Sequence, residues 1–145
     1  MKPRAGGGRR KTKKQRSEYI VFISHSAKDA WIARTIAEKI SATGATPWLD
    51  VKNVDGGDVL GEKIRQGIDA CHEAVVLVSP DSIISQWVLF ESGAVWGLKK
   101  RITPVLHGVS HEALSPIKEL KAIELNDFDD FLLQLKQRLE QSTQN

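Results

Sequence analysis

From Tyr19 onward, short continuous apolar runs alternate with segments whose apolar residues recur at helical spacing. Tyr19–Ser24 (YIVFIS) and Ala74–Ser79 (AVVLVS) are unbroken by polar residues, as strands covered on both faces tend to be. Ala45–Leu49 (ATPWL) predicts the strand between them in sequence. Its Pro47 argues for an edge position, because proline has no N–H for a ladder. Arg101–Leu106 (RITPVL), interrupted by Pro104, and Lys121–Leu125 (KAIEL) supply the fourth and fifth strands. Ser26-x-x-Asp29 resembles a capping box with Asp in place of Glu or Gln. It opens a helix with the stripe Ile32, Ala33, Ile36, Ala37 and Ile40, stopped by Gly44. After a polar loop, Asp50–Asp58, with Gly56-Gly57 for backbone freedom, Leu60, Ile64 and Ile68 mark a second helix. A short helix is expected between His111 and Leu120, broken by Pro116. A final helix starts at Asp127 with Phe128, Phe131, Leu132, Leu135 and Leu139 on its apolar face.

Five strands alternating with five helices predict an α/β fold, a five-stranded parallel sheet with helices on both faces. For a chain of 145 residues the expected arrangement is a flavodoxin-like three-layer sandwich of strand order 2-1-3-4-5. Its switch point lies between strands 1 and 3, and ligands bind beyond their carboxyl ends. Those ends lead into SHSAKD and SPDSIISQW, with Asp50 and its glycine loop alongside.

The helix after strand 3, Asp81–Leu98 (DSIISQWVLFESGAVWGL), is apolar or small at almost every position from Ile83. Its interior holds one ionisable residue, Glu91, four residues after Trp87 and so on the same helical face. A carboxylate in apolar surroundings costs several kcal/mol unless something binds it. It is either paired, with Lys28 or Lys63, or part of a site bordering the crevice.

Composition narrows the class. Hydrophobic residues make up 41% and charged residues 27%, ordinary for a soluble domain large enough to bury a core. The sequence carries no run of the roughly 20 apolar residues a membrane helix needs. No apolar region follows the N-terminal bases as in a secretory signal, and a single cysteine, Cys71, suits a reducing compartment. The expectation is a cytoplasmic protein without a membrane partner, Cys71 being a buried thiol. The net charge of +3 belongs to the tail: residues 1–17 hold eight of the 21 bases and no acid, which leaves 13 bases against 18 acids, net −5, in residues 18–145. The expected division is therefore a basic disordered tail, 1–17, and one domain, 18–145. Any nucleic-acid contact is confined to the tail. The tail lacks interleaved aromatics for base stacking, so a solvated extension or linker is the preferred reading. His72, His107 and His111 share no metal-ligand spacing with Cys71 or one another, so no metal is expected. Trp48, Trp87 and Trp96 are expected in the core, Trp87 being the best candidate for an exception, and Trp31 partly exposed.

Three stretches together resemble a Toll/interleukin-1 receptor (TIR) domain of the stand-alone bacterial kind, from Tyr19 to about Gln141. YIVFISHSAKD resembles the family's first box, PWLD and the loop to Gly57 its second strand and BB loop, and Ser85-x-Trp87-x-x-x-Glu91 its Ser-x-Trp-Cys-x-x-Glu signature. The chain departs from the pattern at Val88 in place of Cys, at Gly56-Gly57 in place of Pro-Gly, and at Val59 and Leu60 where an aromatic residue is common.

The resemblance implies an NAD+ glycohydrolase that cleaves the nicotinamide–ribose bond, in immune or stress signalling of the anti-phage type. Glu91 would be the catalytic carboxylate, and Ser24, His25, Ser26, Lys28, Asp50, Gly57 and Trp87 would border NAD+. NAD+ would be the substrate, with no further cofactor. The resemblance also implies self-association through the loop Asp50–Gly61 and the Asp81–Leu98 region, and a separate sensor or effector protein as a partner. The rival within the family is a non-enzymatic adaptor acting by homotypic association, which has no need of Glu91. A nucleoside deoxyribosyltransferase-like enzyme would carry its glutamate in another motif. A phospho-receiver would end strand 3 in an acceptor Asp where this chain has Ser79-Pro80.

Overall fold

The computed structural model describes residues 18–49, 67, 69–82, 100–114 and 121–144. Outside the described residues lie the tail 1–17, the loop 50–58 with Asp50 and Gly57, and the helix carrying Leu60 and Ile64. The stretch 83–99 with Trp87, Glu91 and Trp96, and the Pro116 break, lie outside as well.

Among the described residues five strands form one parallel sheet: β1 (Ile20–Ser24), β2 (Thr46–Leu49), β3 (Glu73–Val78), β4 (Arg101–Leu106) and β5 (Ile123–Glu124). Their order is β2-β1-β3-β4-β5, the 2-1-3-4-5 order expected. Two long helices are α1 (Ala30–Ala42) and α2 (Phe128–Gln144). β2 pairs on one side only, with β1, so Pro47 does sit on an edge strand. Pro104 is accommodated inside the sheet because β5 pairs only with Val105 and Leu106, beyond it.

Period-two alternation divides the sheet residues between two faces. Val21, Ile23, Val75, Leu77 and Val105 share one buried cluster with Ile32, Ala33, Ile36, Ala37 and Ile40 of α1 and Phe128, Phe131 and Leu135 of α2. Both helices therefore cover the same face. Phe22, Ala74, Val76, Val78, Ile102 and Leu106 alternate with those positions and are also buried, so both faces of the sheet are covered, as in a three-layer sandwich. Each such side chain contributes about 1.5–3 kcal/mol on full burial.

Several boundaries move. β5 is two residues rather than five, because Leu125–Asp127 closes into a 3-10 turn, and α2 starts one residue later than Asp127. His111–Leu114 is a 3-10 turn. α1 ends as expected, with Gly44 at φ +104°, a left-handed conformation that favours glycine. Trp31 is 65% exposed, in line with its expected position, but Trp48 is a correction: it is 37% exposed, not core. It tilts against Phe22, 5.5 Å between ring centroids, while its outer side lies open at the sheet edge.

Gly67 is a true close approach. An added Cβ would lie 2.5 Å from Phe22 Cε1 and 2.7 Å from Trp48 Cζ3, so this helical residue fits against the sheet only as glycine. Just beyond it, Lys100 Nζ donates to the carbonyls of Asp69 and Cys71, 2.5 Å each, a cation at a helix C-terminus. Cys71 is buried, as expected, and burial raises its pKa.

Candidate active site

The two ends of the sheet carry different polar clusters. At the amino end Glu73, the first residue of β3, is fully buried. Arg138 of α2 holds it with two parallel bonds, Nε to Oε2 and Nη2 to Oε1, each 2.8 Å. Tyr19 O–H donates to Oε2 at 2.6 Å. Burial, then the bond to Glu73, pushes the Tyr19 phenol up to about 12. Burial alone would lower the Arg138 pKa; the Glu73 carboxylate outweighs it and the net shift is upward. The Tyr19 ring stacks on His72 at 4.8 Å, and His72 Nδ1 accepts from the Ile20 N–H. Both β1 and α2 are tied to β3 here, far from the crevice end, so this cluster holds the fold together.

The carboxyl end is where the order of strands reverses. Ser24 pairs opposite Val76, so β3 runs two residues past β1, and Ser79 reaches the level of the loop after β1. That loop folds back across the gap. Ser26 Oγ accepts from the Lys28 N–H at 3.0 Å and caps the 3-10 turn Ala27–Asp29, so half of the expected capping box is present. Asp29 does not complete it. Its side chain turns inward, with the residue 6% exposed, and accepts from Ser79 Oγ at 2.5 Å.

Ser79, 1% exposed, belongs to a small hydrogen-bonded turn. Its N–H donates to Ser82 Oγ at 2.9 Å, its Oγ accepts from the Asp81 N–H at 3.2 Å, and Ser82 Oγ donates to the Leu77 carbonyl at 3.0 Å. Lys28 Nζ and Asp81 Oδ1 make a second, exposed link between the two loops at 3.7 Å. An exposed pair of this kind contributes little.

Four of the expected site residues are thus brought to one place. His25 and Ser26 are half-buried on the crevice side of β1, and Lys28 is exposed. His25 Nδ1 donates to the Ser26 carbonyl at 2.8 Å, which in the neutral ring leaves Nε2 as an acceptor. Ser24 is buried at 3% exposure, at the end of β1 beneath the loop. Asp50, Gly57, Trp87 and Glu91 lie outside the described residues. Two buried carboxylates were not singled out from the sequence as site or core residues. Glu73 precedes an apolar run and Asp29 occupies a capping position, so neither stands out in the sequence. Among the described residues no three His, Cys, Asp or Glu side chains gather as metal ligands would. No helix among them is long and apolar enough to cross a membrane.

A parallel sheet of order 2-1-3-4-5 with polar loops at the β1–β3 switch point defines a flavodoxin-like α/β domain. Residues 21–140 match the sequence model of the TIR domain, and the chain belongs to that family. It is 30% identical over 113 residues to the NAD(+) hydrolase TcpA of Theionarchaea archaeon (strain DG-70-1), covering 74% of this chain and 34% of that protein. It is also 30% identical over 98 residues to the 2' cyclic ADP-D-ribose synthase AbTIR of Acinetobacter baumannii (strain 1295743), 64% of this chain and 36% of that one. Among solved structures, a metazoan TIR-STING receptor from C. gigas in complex with 2',3'-cGAMP superposes with a TM-score of 0.62 at 27% identity, over 80% of this chain and 38% of that one. The chain thus spans little more than a third of the length of these relatives.

Proposed function

We propose that this domain cleaves NAD+ at the bond between nicotinamide and ribose. The observation that carries the reading is the 30% identity to an NAD(+) hydrolase across 74% of the chain. The position of His25, Ser26 and Lys28 in the loop at the carboxyl end of β1, at the β1–β3 switch point where ligands of such sheets bind, supports it. So does the Ser85-x-Trp87-x-x-x-Glu91 motif in the sequence.

The chemistry asks little of the protein. The C–N bond breaks with its electron pair leaving on nicotinamide, whose ring nitrogen becomes neutral, so no general acid is needed. Positive charge develops on the ribose as an oxocarbenium-like state, and one carboxylate, assigned here to Glu91, stabilises it. Water attack on the ribose carbon, with loss of a proton, gives ADP-ribose; attack from within the molecule gives a cyclic isomer. Lys28, as an exposed cation in the loop after β1, suits the pyrophosphate, and the second ring nitrogen of His25, an acceptor in the neutral ring, suits a ribose hydroxyl. Ser24, Asp50, Gly57 and Trp87 complete the proposed substrate contacts. A role in immune signalling, and self-association through the loop Asp50–Gly61 and the Asp81–Leu98 region, belong to the same proposal.

The test is nicotinamide release from NAD+, followed by chromatography over a range of protein concentrations. The expected result is release whose specific rate rises with protein concentration and is lost in Glu91→Ala, the co-product peak separating linear from cyclic ADP-ribose. Release undiminished in Glu91→Ala refutes the catalytic assignment. No release at any concentration favours an adaptor.

A further inference from the structure

The buried carboxylate of Asp29 has no part in the chemistry above, yet it sits at the crevice. Burying a carboxylate is costly unless its lone pairs are satisfied, and among the described residues Asp29 is met by the Ser79 hydroxyl rather than by a cation. Its neighbour Lys28 points away, to Asp81. Ser79 in turn is fixed by the turn it belongs to, through the Asp81 N–H and Ser82 Oγ. The 2.5 Å bond is a buried link between the loop after β1 and the turn after β3, beside the exposed Lys28–Asp81 pair. The first unit carries His25, Ser26 and Lys28; the second leads directly in sequence to Trp87 and Glu91.

We propose that Asp29 and Ser79 are positioning residues: their buried bond sets the rim of the β1 loop in register with the exit from β3, and so fixes where NAD+ is held. The inference rests on the NAD+ reading for its functional consequence but not for its geometry. Loss of the bond lets the two loops settle independently, which displaces the substrate contacts while the sheet beneath, closed by its own core, stays folded.

Asp29→Ala, Ser79→Ala and the double variant are compared with Asp29→Asn, which keeps an acceptor oxygen for the Ser79 hydroxyl. Each alanine variant should raise KM for NAD+ strongly, with kcat/KM falling by up to about 100-fold. The double variant should be no worse than the poorer single one, because the same bond is already lost. Asp29→Asn should recover to within about threefold. A merely structural role would instead lower the fraction of folded protein, and hence apparent kcat, with KM unchanged; that result overturns the proposal, as do additive losses.

A second measurement does not depend on activity. Amide hydrogen exchange should accelerate on the order of tenfold at His25–Lys28 in Ser79→Ala and at Asp81–Ser82 in Asp29→Ala, each variant loosening the loop it does not belong to, while Asp29→Asn should stay near the wild-type rates. Changes confined to the mutated loop refute the link. If the wild-type chain releases no nicotinamide, the function proposed above has failed and the exchange result alone decides whether this one stands.

Discussion

Replacing Arg138 by alanine would leave Glu73 as a fully buried carboxylate with, among the described residues, the Tyr19 hydroxyl as its side-chain partner. In the native chain that charge receives two parallel bonds of 2.8 Å from a guanidinium whose side chain is itself only 17% exposed. Removing one partner of such a pair costs about 3–5 kcal/mol, because the remaining charge stays desolvated. The lost contact of the guanidinium with the Phe131 ring, 5.7 Å away, accounts for only about 0.5–1 kcal/mol of this. In a domain of this size the loss corresponds to a fall in Tm of roughly 6–20 °C. Urea unfolding near neutral pH, followed by tryptophan fluorescence and circular dichroism, measures it. The companion variant, Glu73→Leu with Arg138→Met, removes both charges and should recover most of the stability, since an apolar pair of similar volume has nothing to desolvate. If Arg138→Ala costs less than about 1 kcal/mol, or if the double variant is as unstable as the single one, the stranded charge is not what matters and the reasoning fails.

Two further outcomes follow from the same packing. Gly67→Ala should destabilise the domain by about 1–3 kcal/mol, with a shift in Trp48 fluorescence, because the new methyl would overlap the fully buried Phe22 ring and force it to shift; an unchanged urea midpoint would contradict that fit. Tyr19 is the chain's one tyrosine, so tyrosinate absorbance reports it directly. Its pKa of about 12 lies above the ordinary phenol value of 10.0, so between those values the folded state binds more protons than the unfolded one. Stability should therefore hold below pH 10 and fall as pH rises towards 12, and Tyr19→Phe should remove that slope.

Periodicity made the architecture legible because each strand and each helix face carries its own signal. Val21 and Ile23, or Ile32 and Ile36, announce where they go. What it concealed were the charged residues that share those stripes. Asp29 precedes Ile32 and Ala33 by three and four residues, and Arg138 follows Leu135 and Phe131 by three and seven, so both lie on the apolar face of their helices. Each meets a buried polar partner from β3 or the residue after it, and that pairing is a tertiary fact no local window contains. A charge on an apolar stripe is the signal that was available. Trp48 differs for the opposite reason: an aromatic residue in a strand suggests core, and the edge position that Pro47 signals for the same strand leaves the indole 37% exposed.

The edges of the sheet limit how this domain can meet another copy of itself. On β2 the Thr46 N–H donates inward to the Tyr19 carbonyl, so the alternate positions, Ala45, Pro47 and Leu49, face outward. The Ala45 N–H is already engaged by Thr43 Oγ1, and Pro47 has none to offer. The opposite edge, β5, is only two residues long. Among the described residues neither rim offers the row of free donors on which a foreign strand could grow. Contact between copies of this domain is then left to loops and helix faces, with the described sheet edges remaining separate. Such contacts can form and dissolve without unfolding either partner, whereas a fused sheet would be hard to reverse.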